Sequence, residues 1–151
     1  INIIKKNEIK LYRKRRKLNN MGLDHGLIAY KGRNRKQIDF KYNPSEEIDI
    51  ITWRKHPYLH GWFDDLYAEK GGNAYDGGSF GGFNSRHNLQ VTHEDLLELQ
   101  TRVLTGTLQE RSGFFWGDDA CEYYKEQDLD AIYEAMNYIK DGYKIKYWAW
   151  W

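Results

Sequence analysis

Trp53-Arg54-Lys55-His56-Pro57-Tyr58-Leu59-His60-Gly61-Trp62-Phe63 gathers two tryptophans, two histidines, an arginine and a lysine into one short stretch. A guanidinium forks onto a carboxylate or phosphate, and an ammonium adds a point charge beside it. An imidazole near neutral pH gives or takes a proton, or ligates a metal. The types and order therefore suit an anion or nucleotide site built from Arg54, Lys55 and His60, with His56 next to them. His56, His60 and Asp64 are spaced i, i+4, i+8, which suits metal ligation from one helix face. Against it, Pro57 starts a helix and leaves His56 outside, and no H-E-x-x-H is present. No metal or other cofactor is expected. The competing reading buries His60 against backbone and makes Trp62 core. Arg86-His87 follows a glycine-rich segment that can bring Arg86 towards the cluster, so Arg86 joins the candidate ligand-binding set.

Other chemical motifs are missing or are better read as structure. Six glycines between Gly71 and Gly82 form a loop, but G-x-x-x-x-G-K-[ST] is absent, as are G-x-S-x-G and CxxC. Cys121 is the single cysteine, so no internal disulfide forms, which fits a reducing compartment. Asp118, Asp119 and Glu122 read as a turn or a helix N-terminus, where acids are favoured. Trp148, Trp150 and Trp151 have the type to stack on bases. Trp148 and Trp150 share a strand face, which points to core or a subunit interface.

The elements that position these groups read as α+β. Strands are expected over Leu23–Lys31, Ile38–Tyr42 (by alternation with Asp39 and Lys41), Ile48–Arg54, Asn88–Val91 and Tyr143–Trp151. A helix from Pro57 carries Tyr58, Leu59, Trp62, Phe63, Leu66 and Tyr67 on its apolar face. A second, capped by Thr92 with Asp95 three residues on, buries Leu96, Leu97, Leu99, Val103 and Leu104 and stops at Gly106. A third, Gln127–Lys140, has the stripe Leu129, Ile132, Tyr133, Met136 and Ile139. The expected architecture is a small, mainly antiparallel sheet with about three helices packed on it.

The length of 151 residues suits one domain. No apolar run is long enough for a transmembrane helix. Residues 1–20 hold eight cations and one anion, a net of +7. Residues 21–151 hold 15 cations and 21 anions, a net of −6. The chain opens on Ile1, and Met21-Gly22-Leu23-Asp24 has the form of a natural start. The expectation is a basic extension over 1–20, outside the native fold, and a single α+β domain over 21–151. Contact with nucleic acid is expected only through the basic arm.

Met21-Gly22-Leu23-Asp24, Trp53-Arg54-Lys55 with His60-x-Trp62-Phe63, the leucine-rich helix after Thr92, Gly113-Phe114-Phe115-Trp116-Gly117 and a closing aromatic strand follow one another in an order that resembles a family of small tailed-phage and prophage proteins. Its members open with MGLD and carry a WRK…HxWF segment. The resemblance spans 21–151; His25-Gly26 and the glycine-rich insert depart from it. It implies a phage accessory protein in the cytoplasm of the bacterial host, with no settled activity. The residues themselves suit a binding protein for a host protein or a small phosphorylated, nucleotide-like ligand. The alternatives are a small enzyme on a nucleotide or phosphorylated substrate, with His60 as acid or base and Arg54 as charge clamp, and a virion or scaffold component. Homo-oligomerisation stays open; membrane association is not expected.

Overall fold

The computed structural model describes residues 22–73, 82–109 and 121–151. Four strands, β1 (Asp24–Lys31), β2 (Glu46–Arg54), β3 (Leu89–Val91) and β4 (Lys144–Trp150), make one antiparallel sheet in the order β2-β1-β4-β3. Helices α1 (Pro57–Glu69), α2 (His93–Thr105) and α3 (Cys121–Lys140) complete the α+β arrangement expected.

The last strand enters the sheet between β1 and β3, so both edges of β4 are paired. Its alternation sorts the side chains. Ile145, Tyr147 and Ala149 join the main core with the helices, while Trp148 and the half-buried Trp150 turn to the opposite face. Phe63 of α1 stacks on Tyr147 with ring centroids 3.9 Å apart. The opposite face is a smaller apolar cluster of Ile28, Tyr30, Phe40 and Trp148. Gly26 of β1 is required there, because a Cβ would lie 2.1 Å from the Ile51 carbonyl oxygen and 2.8 Å from Trp148 Nε1.

What covers that second face is a loop, not the strand expected over Ile38–Tyr42. Residues 32–44 leave β1, touch the far edge of the sheet through a single bridge, Ile38 to Leu89, and return to β2. Asp39 has φ 48°, in the left-handed region, which breaks the two-residue period its neighbours suggest. The neck of this strap is closed where the Ser45 backbone N–H donates to the Lys31 carbonyl at 2.8 Å. Such a compact loop with adjacent ends is an Ω-loop.

The helices depart from expectation in detail. Thr92 and Asp95 form a reciprocal capping box, and Gly106 ends α2 at φ 67°. Leu97 and Leu104 on α2, however, are 46% and 53% exposed, and Tyr133 on α3 is 66% exposed. Each is one position off a buried residue of its helix, Leu96, Val103 or Ile132. Helix α3 begins at Cys121, ahead of the expected Gln127. Gly113–Gly117, Asp118 and Asp119, the basic arm and most of the glycine-rich loop lie outside the described residues.

Candidate functional site

The junction of β2 and α1 holds the aromatic and cationic stretch, and the fold divides it into an inside and an outside. Lys55 and His56 are consecutive non-glycine residues in the left-handed region, φ 65° and 63°. That conformation costs roughly 1–2 kcal/mol per residue. Buried bonds hold it. The Lys55 N–H donates to the Leu23 carbonyl at 2.7 Å. The Lys55 carbonyl is 2.5 Å from His25 Nε2 and can only accept, so Nε2 carries the proton. In the neutral ring, His25 Nδ1 then accepts from the Tyr147 hydroxyl at 2.8 Å. Asp128 of α3 closes the clamp: its Oδ1 accepts from Trp53 Nε1 at 2.9 Å, and its Oδ2 meets His56 Nε2 at 2.7 Å.

His56 and His60 are therefore interior residues, 0% and 1% exposed. His56 lies flat on Tyr124, centroids 4.1 Å apart. His60 Nε2 donates to the Phe83 carbonyl at 2.8 Å, an acceptor it shares with Trp151 Nε1 at 2.6 Å. His25 is central, with His60 and His56 ring centroids at 6.0 and 6.4 Å. Burial holds the His25 pKa well below 6.5, and the charge it would share space with at His60 and His56 pushes it the same way, against its bond to Lys55. Burial likewise lifts the Tyr147 hydroxyl well above its usual value, with Asp64 adding to the effect. Among the described residues, no group of three or more histidine, cysteine or acidic side chains is placed to hold a metal ion.

The cations of the stretch stay outside. Arg54 and Lys55 are exposed. Arg86 is also exposed but belongs elsewhere: it borders a depression with Asp39, Tyr67, Asn73, His87 and Asn88. The five candidates thus fall into an exposed pair (Arg54, Lys55), a buried pair (His56, His60) and a separate arginine.

A stronger concentration of charge lies in the strap. Arg33, Arg35, Lys36 and Lys41, with Lys144 from β4, line a groove of about 710 Å³ together with Asn34, Asp39 and Phe40. Among the described residues, none of Arg33, Arg35, Lys36 and Lys41 is in an ion pair. Asn34 builds the site. Its Oδ1 accepts from Lys144 Nζ at 2.9 Å and the Tyr30 hydroxyl at 3.0 Å, and its Nδ2 donates to the Lys36 carbonyl and to Gln90 Oε1, both at 2.7 Å. All four bonds open to the amide are made, so the outgoing limb is pinned to β1, β3 and β4 at once. Asp39, the one acid lining the groove among the described residues, is exposed and engaged by two donors. Asp39 accepts from the Tyr67 hydroxyl through Oδ2, and from the Asn88 backbone N–H at 3.3 Å through Oδ1.

Two features escaped the sequence reading. Asp128 falls on the stripe of α3 that includes Ile132 and Ala135, and a carboxylate on an apolar stripe is itself the signal of a buried partner. Of the cations between Arg33 and Lys41, the sequence places only Lys41, on the polar side of an expected strand; only the fold sets them around one concavity with Lys144.

No family model, no curated protein and no solved structure matches this chain. Among the described residues, no helix is long and apolar enough to cross a membrane.

Proposed function

We propose that this chain is a binding protein of the phage accessory type, acting in the cytoplasm of a bacterial host, and that it captures a phosphorylated, nucleotide-like ligand. The phage setting rests on the order of motifs from MGLD to the closing aromatic strand. The ligand class rests on one observation: among the described residues, five cations line a single groove against one acid, Asp39, which is engaged with Tyr67 and Asn88. Arginines fork onto phosphate oxygens and lysines neutralise them. A groove of this size falls within the roughly 300–1,000 Å³ that small-ligand sites occupy. The histidines of the β2–α1 junction serve the fold in this reading, by holding a left-handed turn.

A thermal-shift series with nucleoside mono-, di- and triphosphates and inorganic triphosphate tests the assignment. Ligand at a hundred times its Kd adds about 2.7 kcal/mol, which raises the Tm of a domain this size by roughly 5–10 °C. The rise should grow with phosphate number. It should vanish in an Arg35→Ala, Lys36→Ala, Lys144→Ala variant and persist in Arg54→Ala, Lys55→Ala. No rise with any phosphate, or a rise lost only in the second variant, would remove the groove from consideration.

A further inference from the structure

We infer that an acidic groove between β2 and α3 is the docking site of the chain's own basic arm, residues 1–20. The groove, of about 500 Å³, has Ile50 and Ile51 as its floor and Glu126, Asp130 and Glu134 of α3 as its wall, with Tyr123 at one end. Consecutive strand residues ordinarily point to opposite faces. Here Leu27 pairs with Ile51 and Ile28 with Asp49, so Ile50 is the extra residue of a β-bulge, and both isoleucines reach the groove. β2 ends the sheet, and among the described residues it pairs with β1 alone. The two isoleucines are therefore only half-buried, beside an open strand edge.

Charge sets the kind of occupant. Glu126, Asp130 and Glu134 are exposed, recur at i, i+4 and i+8 along α3, and are in no ion pair among the described residues. Among those residues, no cation lines the groove. Tyr123, 81% exposed, offers a ring face to a guanidinium. The arm carries Arg13-Lys14-Arg15-Arg16-Lys17, flanked by Leu11, Tyr12 and Leu18. It supplies cations for the wall and apolar side chains for the floor.

The path of the chain brings the arm to the mouth of this groove. Asp24 opens β1 opposite Arg54, and the Leu23 carbonyl accepts from the Lys55 N–H at 2.7 Å. The arm therefore joins the fold at the Arg54 end of β2, where Gly22 turns the chain at φ 81° and the Tyr124 hydroxyl of α3 donates to the Arg54 carbonyl at 3.5 Å. From Tyr123 to Glu134 the helix rises roughly 16 Å, which about five extended residues span. Leu18 to Met21 reach about 13 Å, enough to bring Lys17 to the mouth. A tether this short sets an effective concentration on the order of millimolar, which a separate basic chain lacks. The folded body of a second copy presents cations around its strap groove, and two concave surfaces do not fit one another. The arm is then a ligand of the fold and not part of its core, and other polyanions must compete with α3 for it.

Carbodiimide cross-linking of the full chain at low salt, read by mass spectrometry on a mixture of isotope-labelled and unlabelled protein, tests the docking. Lys14 and Lys17 should join to Glu126, Asp130 or Glu134 within one chain. Trypsin should cut after residues 13–17 about tenfold more slowly than in a free peptide of residues 8–20, as three exposed ion pairs allow. Glu126→Gln, Asp130→Asn, Glu134→Gln should abolish that protection, and Glu69→Gln, Glu94→Gln, Glu98→Gln, an equal change of charge, should keep it. In the unaltered chain the protection should disappear at about 1 M salt, where the screening length falls to about 3 Å, a reading that needs no variant. Cross-links between labelled and unlabelled chains would place the arm on a second copy and overturn docking within one chain. Cross-links spread over acids outside α3, or cleavage as fast as in the free peptide, would remove the groove as its site.

Discussion

His56 illustrates how an unusual residue can be explained without a ligand. Its type and its place beside Arg54 and Lys55 suggest a contact with substrate, yet its ring is enclosed, bonded to Asp128 and stacked on Tyr124. His56→Ala leaves the Asp128 charge buried with Trp53 Nε1 but without the imidazole. Urea denaturation should register a loss of about 3–5 kcal/mol, the range for breaking one side of a buried pair. A loss below about 1 kcal/mol would mean that the pair contributes little to the turn. His25 gives a pH signature. Its pKa is depressed in the folded protein, so below 6.5 the unfolded chain binds a proton that the folded chain refuses. The unfolded state then carries more protons, and stability falls as pH drops from 6.5 towards the folded value. Each such proton contributes a slope of up to about 1.4 kcal/mol per pH unit. The slope between neutral pH and about pH 5 should be shallower in His25→Gln than in the parent chain. Periodicity put Trp62 on the core face of the helix, but it left His60 among the candidate ligand residues and could not show that His56 faces inward. That depends on two left-handed residues in succession, which no local pattern signals.

Elements with a regular period were legible, and the strap was not. The sheet, the capping box of Thr92 and Asp95 and the stop at Gly106 follow from rules that act within a few residues. The strap depends on contacts far apart in sequence: Asn34 with Gln90 and Lys144, Ile38 with Leu89, Asp39 with Asn88. Alternation at Ile38, Phe40 and Tyr42 therefore reads as a strand, although those side chains pack on the sheet from a loop. Asn34 is the position to test, because its side-chain amide spends all its bonds on the protein and fixes the limb that presents Arg33, Arg35 and Lys36. Asn34→Ala removes bonds worth about 1 kcal/mol each. It should lower nucleotide affinity roughly 5–30-fold, corresponding to about 1–2 kcal/mol, while the near-ultraviolet circular dichroism of the core stays the same. Unchanged affinity would mean that the strap holds its shape without this amide.

Across the whole molecule, charge is segregated more sharply than a net value of +1 suggests. Composition revealed the imbalance between residues 1–20 and the remainder, but it could not reveal a second separation within the remainder, because Lys144 lies about a hundred residues from Arg33–Lys41 until the last strand enters the sheet beside β1. The same topology sets the two cationic regions at opposite ends of β1. Arg54 pairs with Asp24 and Glu46 pairs with Lys31, a separation of about 24 Å along an extended strand. A ligand bound in the strap therefore leaves Arg54 and Lys55 untouched. Amide NMR during titration with a nucleoside triphosphate reads this directly. The expected result is a set of saturable shifts confined to residues 33–41 and the start of β4 around Lys144. Shifts centred on residues 54–60, or none at saturating ligand, would contradict it.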